Sequence, residues 1–176
     1  MKRYWLSILV LAAGLAFAVY TTKSAHLNFL DLPSFIIVVA VPLLFVTVFF
    51  GFKDTYRAFA TLHKKENESE ALHAALVFFN VYGKAIWVSA FIAVITGGIG
   101  VLRNLNDPAA IGPIFAFGLI AVLYCGVVQL AVVLPHTISI HKQLGNSGTR
   151  GDMFNLFGSL FGVVSVYLLF MIILTL

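Results

Sequence analysis

Apolar positions along this chain come in long unbroken runs, not in the three-and-four spacing of a helix with one buried face. The runs are Tyr4–Tyr20, Ser34–Phe52, Ile86–Leu102, Ile114–Leu134 and Phe154–Leu176. At about 1.5 Å per residue, each comes close to crossing a hydrocarbon layer of about 30 Å. The pattern predicts an all-α, polytopic membrane protein with five transmembrane helices in a single membrane domain. The spans are expected at about 4–20, 34–52, 86–102, 114–134 and 154–176, with polar segments at 53–84 and 136–152 between them.

The polar segments carry their own punctuation. In Lys53–Lys84, the positions of Tyr56, Phe59 and Leu62 predict that the second helix continues beyond the membrane. Asn67-Glu68-Ser69-Glu70 has the form of a capping box, and Leu72, Ala75, Leu76 and Phe79 carry the new helix into the third span. Lys64, Lys65, Glu66, Glu68 and Glu70 cluster at the tip. They read as a solvated turn, or as a charge patch that contacts a partner. At the other end of the chain, Gly145-Asn146-Ser147-Gly148 predicts a plain turn. His136 and His141 are five apart, a spacing that does not share a helix face, so they make a poor metal pair. Met1-Lys2-Arg3 ahead of an apolar run and Ala16-Phe17-Ala18 also suit a signal peptide. The run is longer than a usual signal core, which favours a retained first helix.

Composition removes whole classes of function. The chain is 61% hydrophobic, 10% charged and has a mean hydropathy of +1.01. A soluble domain of 176 residues cannot cover that much apolar surface, so the bilayer must. The net charge of +4 then bears on orientation and not on nucleic acid, for which no aromatic–basic interleaving exists. With the N-terminus inside, nine Lys and Arg fall on cytoplasmic segments, and only Lys23 and Arg103 fall outside. That bias predicts an N-in, C-out arrangement in which helices 2 and 3 extend into the cytoplasm. A lone Cys125, scattered histidines and no clustered carboxylates predict neither a cofactor nor an enzyme site.

Ile86–Leu102 and Ile114–Leu134 are separated by only the eleven residues Arg103–Pro113, so they must return as an antiparallel hairpin. Its glycines Gly97, Gly98 and Gly100 would let two helix backbones approach closely in a membrane. The hairpin carries VLRNLNDPAAIG, followed by Leu123-Tyr124 and, at the inner end, Pro135. With its structural residues Asn104, Asp107, Pro108, Gly112 and Pro135, it resembles the channel hairpin of the MotA/TolQ/ExbB superfamily of ion-driven motor and energiser subunits. Phe29–Val39, FLDLPSFIIVV, is similar to the segment through which MotA-type proteins begin their second helix. Bottom-up, Pro33 suits the first turn of a helix and Asp31 its positive end.

The resemblance implies a proton or other ion channel subunit in the bacterial cytoplasmic (inner) membrane. It would form a homopentamer around a single-span partner of MotB/TolR/ExbD type, which brings the titrating Asp. No Asp, Glu, Lys or Arg lies mid-span here. Ser89, Thr96, Tyr124, Cys125 and Gln129 are the channel-lining candidates. The chain departs from the family at several points. Val94 and Val122 stand where relatives carry threonine, Cys125 stands at a glycine and Trp87 at a proline. The inner segment of thirty-two residues is too short for a flagellar stator's rotor-engaging domain, and a fifth helix is added. These departures support an alternative, a non-conducting structural membrane protein of related architecture.

Overall fold

The computed structural model describes residues 2–21, 31–60 and 69–145. The expected fifth span lies outside them, as do Lys64, Lys65, Glu66 and Glu68. Among the described residues the chain is all-helical and has no strand. We number the helices α1 (Lys2–Thr21), α2 (Leu32–Phe50), α3 (Phe52–Ala60), α4 (Ser69–Arg103) and α5. The last runs over Pro108–Val128, a π-helical turn at Gln129–Val133, and Leu134–Gln143. Of these, α2, α4 and α5 are long and apolar enough to cross a membrane.

α4 and α5 form the backbone of the fold. They pack antiparallel along their whole length, as the short connection between them requires. Gly97 lies against the Ile114 carbonyl and the Gly118 backbone, Gly83 against Gln129 and Val133, and Phe79 against His136. A Cβ on Gly97 would stand 3.3 Å from the Ile114 oxygen, so glycine sets how closely the backbones cross there. Gly98 faces open space and has no such role. Small residues at the crossing matter because lipid tails give no hydrophobic drive to helix pairing, which leaves packing to hold the helices together.

The hairpin tip follows turn chemistry. Asn104 Nδ2 donates to the Gly100 carbonyl at 2.8 Å and so caps the end of α4. Asp107 Oδ1 accepts the Ala109 N–H at 3.1 Å, and Pro108, which has no N–H to satisfy, opens α5. The residues that carry the family resemblance therefore also make the turn.

α2 lies beside this hairpin, and both α2 and α5 are locally widened. Each has a π-helical turn, Ile36–Ala40 in α2 and Gln129–Val133 in α5, and each turn is followed two residues later by a proline, Pro42 or Pro135. A proline ring clashes with the carbonyl four residues back. Shifting to five-residue bonds, such as Val41 N–H to the Ile36 carbonyl and Leu134 N–H to the Gln129 carbonyl, relieves that clash.

Helix 2 was expected to run on past Phe52. Instead it stops at Phe50, because Gly51 adopts φ +86°, a left-handed conformation that a side chain rarely tolerates. The chain then doubles aside. The Thr47 and Thr55 hydroxyls are 3.5 Å apart, although eight residues of straight helix would separate them by about 12 Å. Phe50 and Phe59 accordingly both pack edge-on against Phe78. The helix of the expected third span, α4, in contrast runs unbroken from Ser69 to Arg103, well beyond the expected apolar stretch.

The helices are staggered. Ser34, at the start of α2, lies beside Phe117, nine residues into α5. α2 therefore begins about 13 Å below the hairpin tip. α1 is loosely held, touching α5 near its π-turn and leaving Leu9, Val10, Phe17 and Tyr20 exposed.

Candidate functional site

Among the described residues, a dense polar arrangement lies where α2 begins. Asp31 N-caps the helix, its Oδ2 accepting both the Ser34 N–H at 2.8 Å and the Ser34 hydroxyl. The same hydroxyl stands 3.3 Å from the Phe117 carbonyl of α5, a second acceptor for its proton. The Asp31 N–H donates to the Tyr124 hydroxyl at 3.0 Å, and Phe35 meets the Tyr124 ring edge-on at 6.1 Å. A carboxylate, two hydroxyls and a carbonyl thus converge between two helices, level with the body of α5. The sequence marks Asp31 as a helix-start residue within the MotA-like segment and gives it no partner on α5. The signal that could have found the link was Tyr124 itself, a phenol in an otherwise apolar run that must reach a partner when it is buried.

A second polar contact lies deeper. Gln129 is 1% exposed, and its amide donates to the Gly83 carbonyl at 2.7 Å. It locks α5 to α4 at the π-turn. Immediately below, carbonyls around the proline take up side-chain donors. His136 Nδ1 pairs with the Val132 carbonyl at 2.7 Å, and the Thr137 hydroxyl with those of Val133 and Leu134. The His136 ring stacks on Phe79 at 4.3 Å and is walled by Phe59, which joins α3, α4 and α5 in one aromatic cluster.

The channel-lining candidates separate into two groups. Tyr124 is half-buried against α2, while Cys125 and Gln129 are buried within the protomer. Thr96 is exposed, but its hydroxyl bonds the Ile92 carbonyl at 2.8 Å, and Ser89 is half-buried. The face of α4 that looks outward above Lys84 is formed mainly by Val88, Phe91, Ile92, Ile95, Ile99 and Leu102. Val94, one of the departures from the family pattern, is buried on the opposite face. Of the tip charges, Glu70 is described; it is exposed in the first turn of α4. Among the described residues, no three His, Cys, Asp or Glu side chains group as metal ligands.

No protein-family model matches the chain, and no curated protein matches it.

Proposed function

We propose that this chain is an ion channel subunit, with protons the expected ion, of a motor-type complex similar to the MotA/TolQ/ExbB assemblies. In this reading it has five spans in the N-in, C-out orientation and sits in a bacterial inner membrane. Five copies surround a single-span partner that carries the titrating carboxylate, so that ion flow turns or pushes the partner.

The observation that carries the reading is the meeting of two separately recognised stretches. Asp31, Ser34 and Phe35, from the segment before and into α2, contact Tyr124 and Phe117 of the hairpin. The two halves of the resemblance thus fall in one interface. The long paired α4–α5 hairpin, more than about 50 Å from end to end, supports it as the rigid wall such a ring requires. Charge supports the orientation. The end of the bundle holding the start of α4 and the end of α5 exposes Lys53, Arg57 and Lys142 against Asp54 and Glu70. The described segments at the opposite end carry Arg103 and Asp107.

A second reading, a structural protein that conducts nothing, draws on a different observation. Tyr124, Gln129 and Thr96 already spend hydrogen-bonding groups inside the protomer, and the outward face of α4 is mostly apolar. The deciding experiment is the native mass of the detergent-purified complex, alone and co-expressed with single-span membrane proteins encoded beside it. Five subunits retaining a single-span partner, together with ion flux that stops when the partner's Asp is changed to Asn, is the result expected of the channel. A five-subunit complex without flux would favour the structural reading. A monomer would overturn the ring altogether.

A further inference from the structure

The turn at Gly51 creates a surface that the interior of the fold does not use. On its outer side, Phe45, Val48, Phe49, Phe52 and Tyr56 are all exposed, Phe52 at 81%. Phe45, Val48 and Phe49 lie in the last turns of α2, and Phe52 and Tyr56, four residues apart, share one side of α3. Lys53 and Arg57, one helical turn apart on α3, are exposed beside Phe52 and Tyr56. The side of α3 that carries Ala58, with Phe59 at its edge, is spent inside, Ala58 buried and Phe59 among the rings of Phe78, Phe79 and His136. Because the chain doubles aside at Gly51, α3 does not continue down the bundle. It lies across the end of α2, at the depth where the apolar span gives way to charge.

We propose that α3 rests in the headgroup layer of the bilayer as an interfacial helix, and that Lys53 and Arg57 hold anionic phospholipid headgroups there. Phe52 and Tyr56 then sit at the acyl boundary, where rings with an apolar body favour the membrane interface. Charge complementarity selects the lipid. Among the described residues at this end, Lys53, Arg57 and Lys142 oppose only Asp54 and Glu70. The acid closest to the patch, Asp54, stands 3.9 Å from Arg57 in an exposed pair and partly offsets it. A phosphate facing Lys53 and the free side of Arg57 completes the neutralisation. A purely apolar protein partner would leave Lys53 without a counter-charge and Arg57 with only its exposed pair to Asp54. The inference holds whichever leaflet this end faces, and does not depend on ion conduction.

The test uses the full chain purified from bilayers that mix phosphatidylglycerol with phosphatidylcholine, with retained lipid counted by native mass spectrometry. Wild-type protein is expected to retain phosphatidylglycerol preferentially. Lys53→Gln with Arg57→Gln should lower that preference by about five- to thirty-fold, roughly fivefold per basic residue. Asp54→Asn, which frees Arg57, should raise it. Equal retention of the two lipids by the wild type, or a preference unmoved by both variants, overturns the proposal. A second measurement checks the placement. Spin labels at Phe52→Cys and Tyr56→Cys should be reached by oxygen from the acyl region and not by a water-soluble nickel chelate. A label reached by nickel, or shielded from both reagents as beneath a protein partner, also overturns it.

Discussion

The Tyr124 hydroxyl accepts the backbone N–H of Asp31 at 3.0 Å, joining positions 93 residues apart. It ties the first residue before α2 to the middle of α5. Tyr124→Phe keeps the ring against Phe35 and removes this bond. We predict a loss of about 1 kcal/mol, read as a shifted midpoint in reversible unfolding from mild detergent into dodecyl sulfate. An unmoved midpoint would show that water or a headgroup replaces the phenol at no cost.

The cap itself should be separable from charge. Asp31→Asn keeps an oxygen that can accept from the Ser34 N–H, whereas Asp31→Ala keeps none. The alanine variant is expected to be destabilised by about 1 kcal/mol and the asparagine variant by much less. If both fall equally, the carboxylate charge is what matters and the capping account is wrong.

Gly97 and Gly98 are neighbours with opposite expectations. A side chain on Gly97 meets the Ile114 carbonyl, and Gly97→Val should force α4 and α5 apart at a cost of about 1–3 kcal/mol. Gly98→Ala meets nothing and should leave stability unchanged or improve it. Thermal denaturation of the two variants in one detergent compares them directly, and the reverse order would exclude this helix crossing.

Gln129→Leu removes the buried amide that binds the Gly83 carbonyl. Interhelical bonds of this kind contribute about 0.6–2 kcal/mol in membranes, and a loss in that range is expected in the same unfolding assay. The ion-conduction reading adds a separate consequence. Because this amide is spent between helices, flux through an assembled complex should survive Gln129→Leu once the protein is folded. Abolished flux from a folded ring would place Gln129 at the ion path after all.

The long apolar runs made the helices legible, and the turn residues Asn104, Asp107 and Pro108 marked the hairpin tip at the right place. Which way each helix faces was not legible. α5 is apolar on every side, so nothing in its spacing distinguishes Gln129 and Cys125, which point inward, from lining residues. The end of α2 was misread because Gly51 sits inside a continuous apolar run. Its left-handed backbone outweighs the pattern of Tyr56 and Phe59 that suggested continuation. The link from Asp31 to Tyr124 was hidden for a third reason. It depends on the vertical offset between α2 and the hairpin, which the local sequence does not encode. The charges Lys64, Lys65, Glu66 and Glu68 and the span expected at 154–176 fall outside the described residues.

That offset has a mechanical side. Along α2 the apolar surface begins at Leu32, level with Phe117, whereas along the hairpin it climbs on to Leu102 and Leu105. A bilayer wrapped around this protein therefore meets two rims at unequal heights, differing by about 13 Å. It must slope from one flank to the other, or the protein must lean, and each ångström of hydrophobic mismatch left uncorrected costs a fraction of a kcal/mol. The described helices α2, α4 and α5 are in this sense a wedge, one that imposes a gradient of thickness on lipid that meets them before any partner or ion arrives.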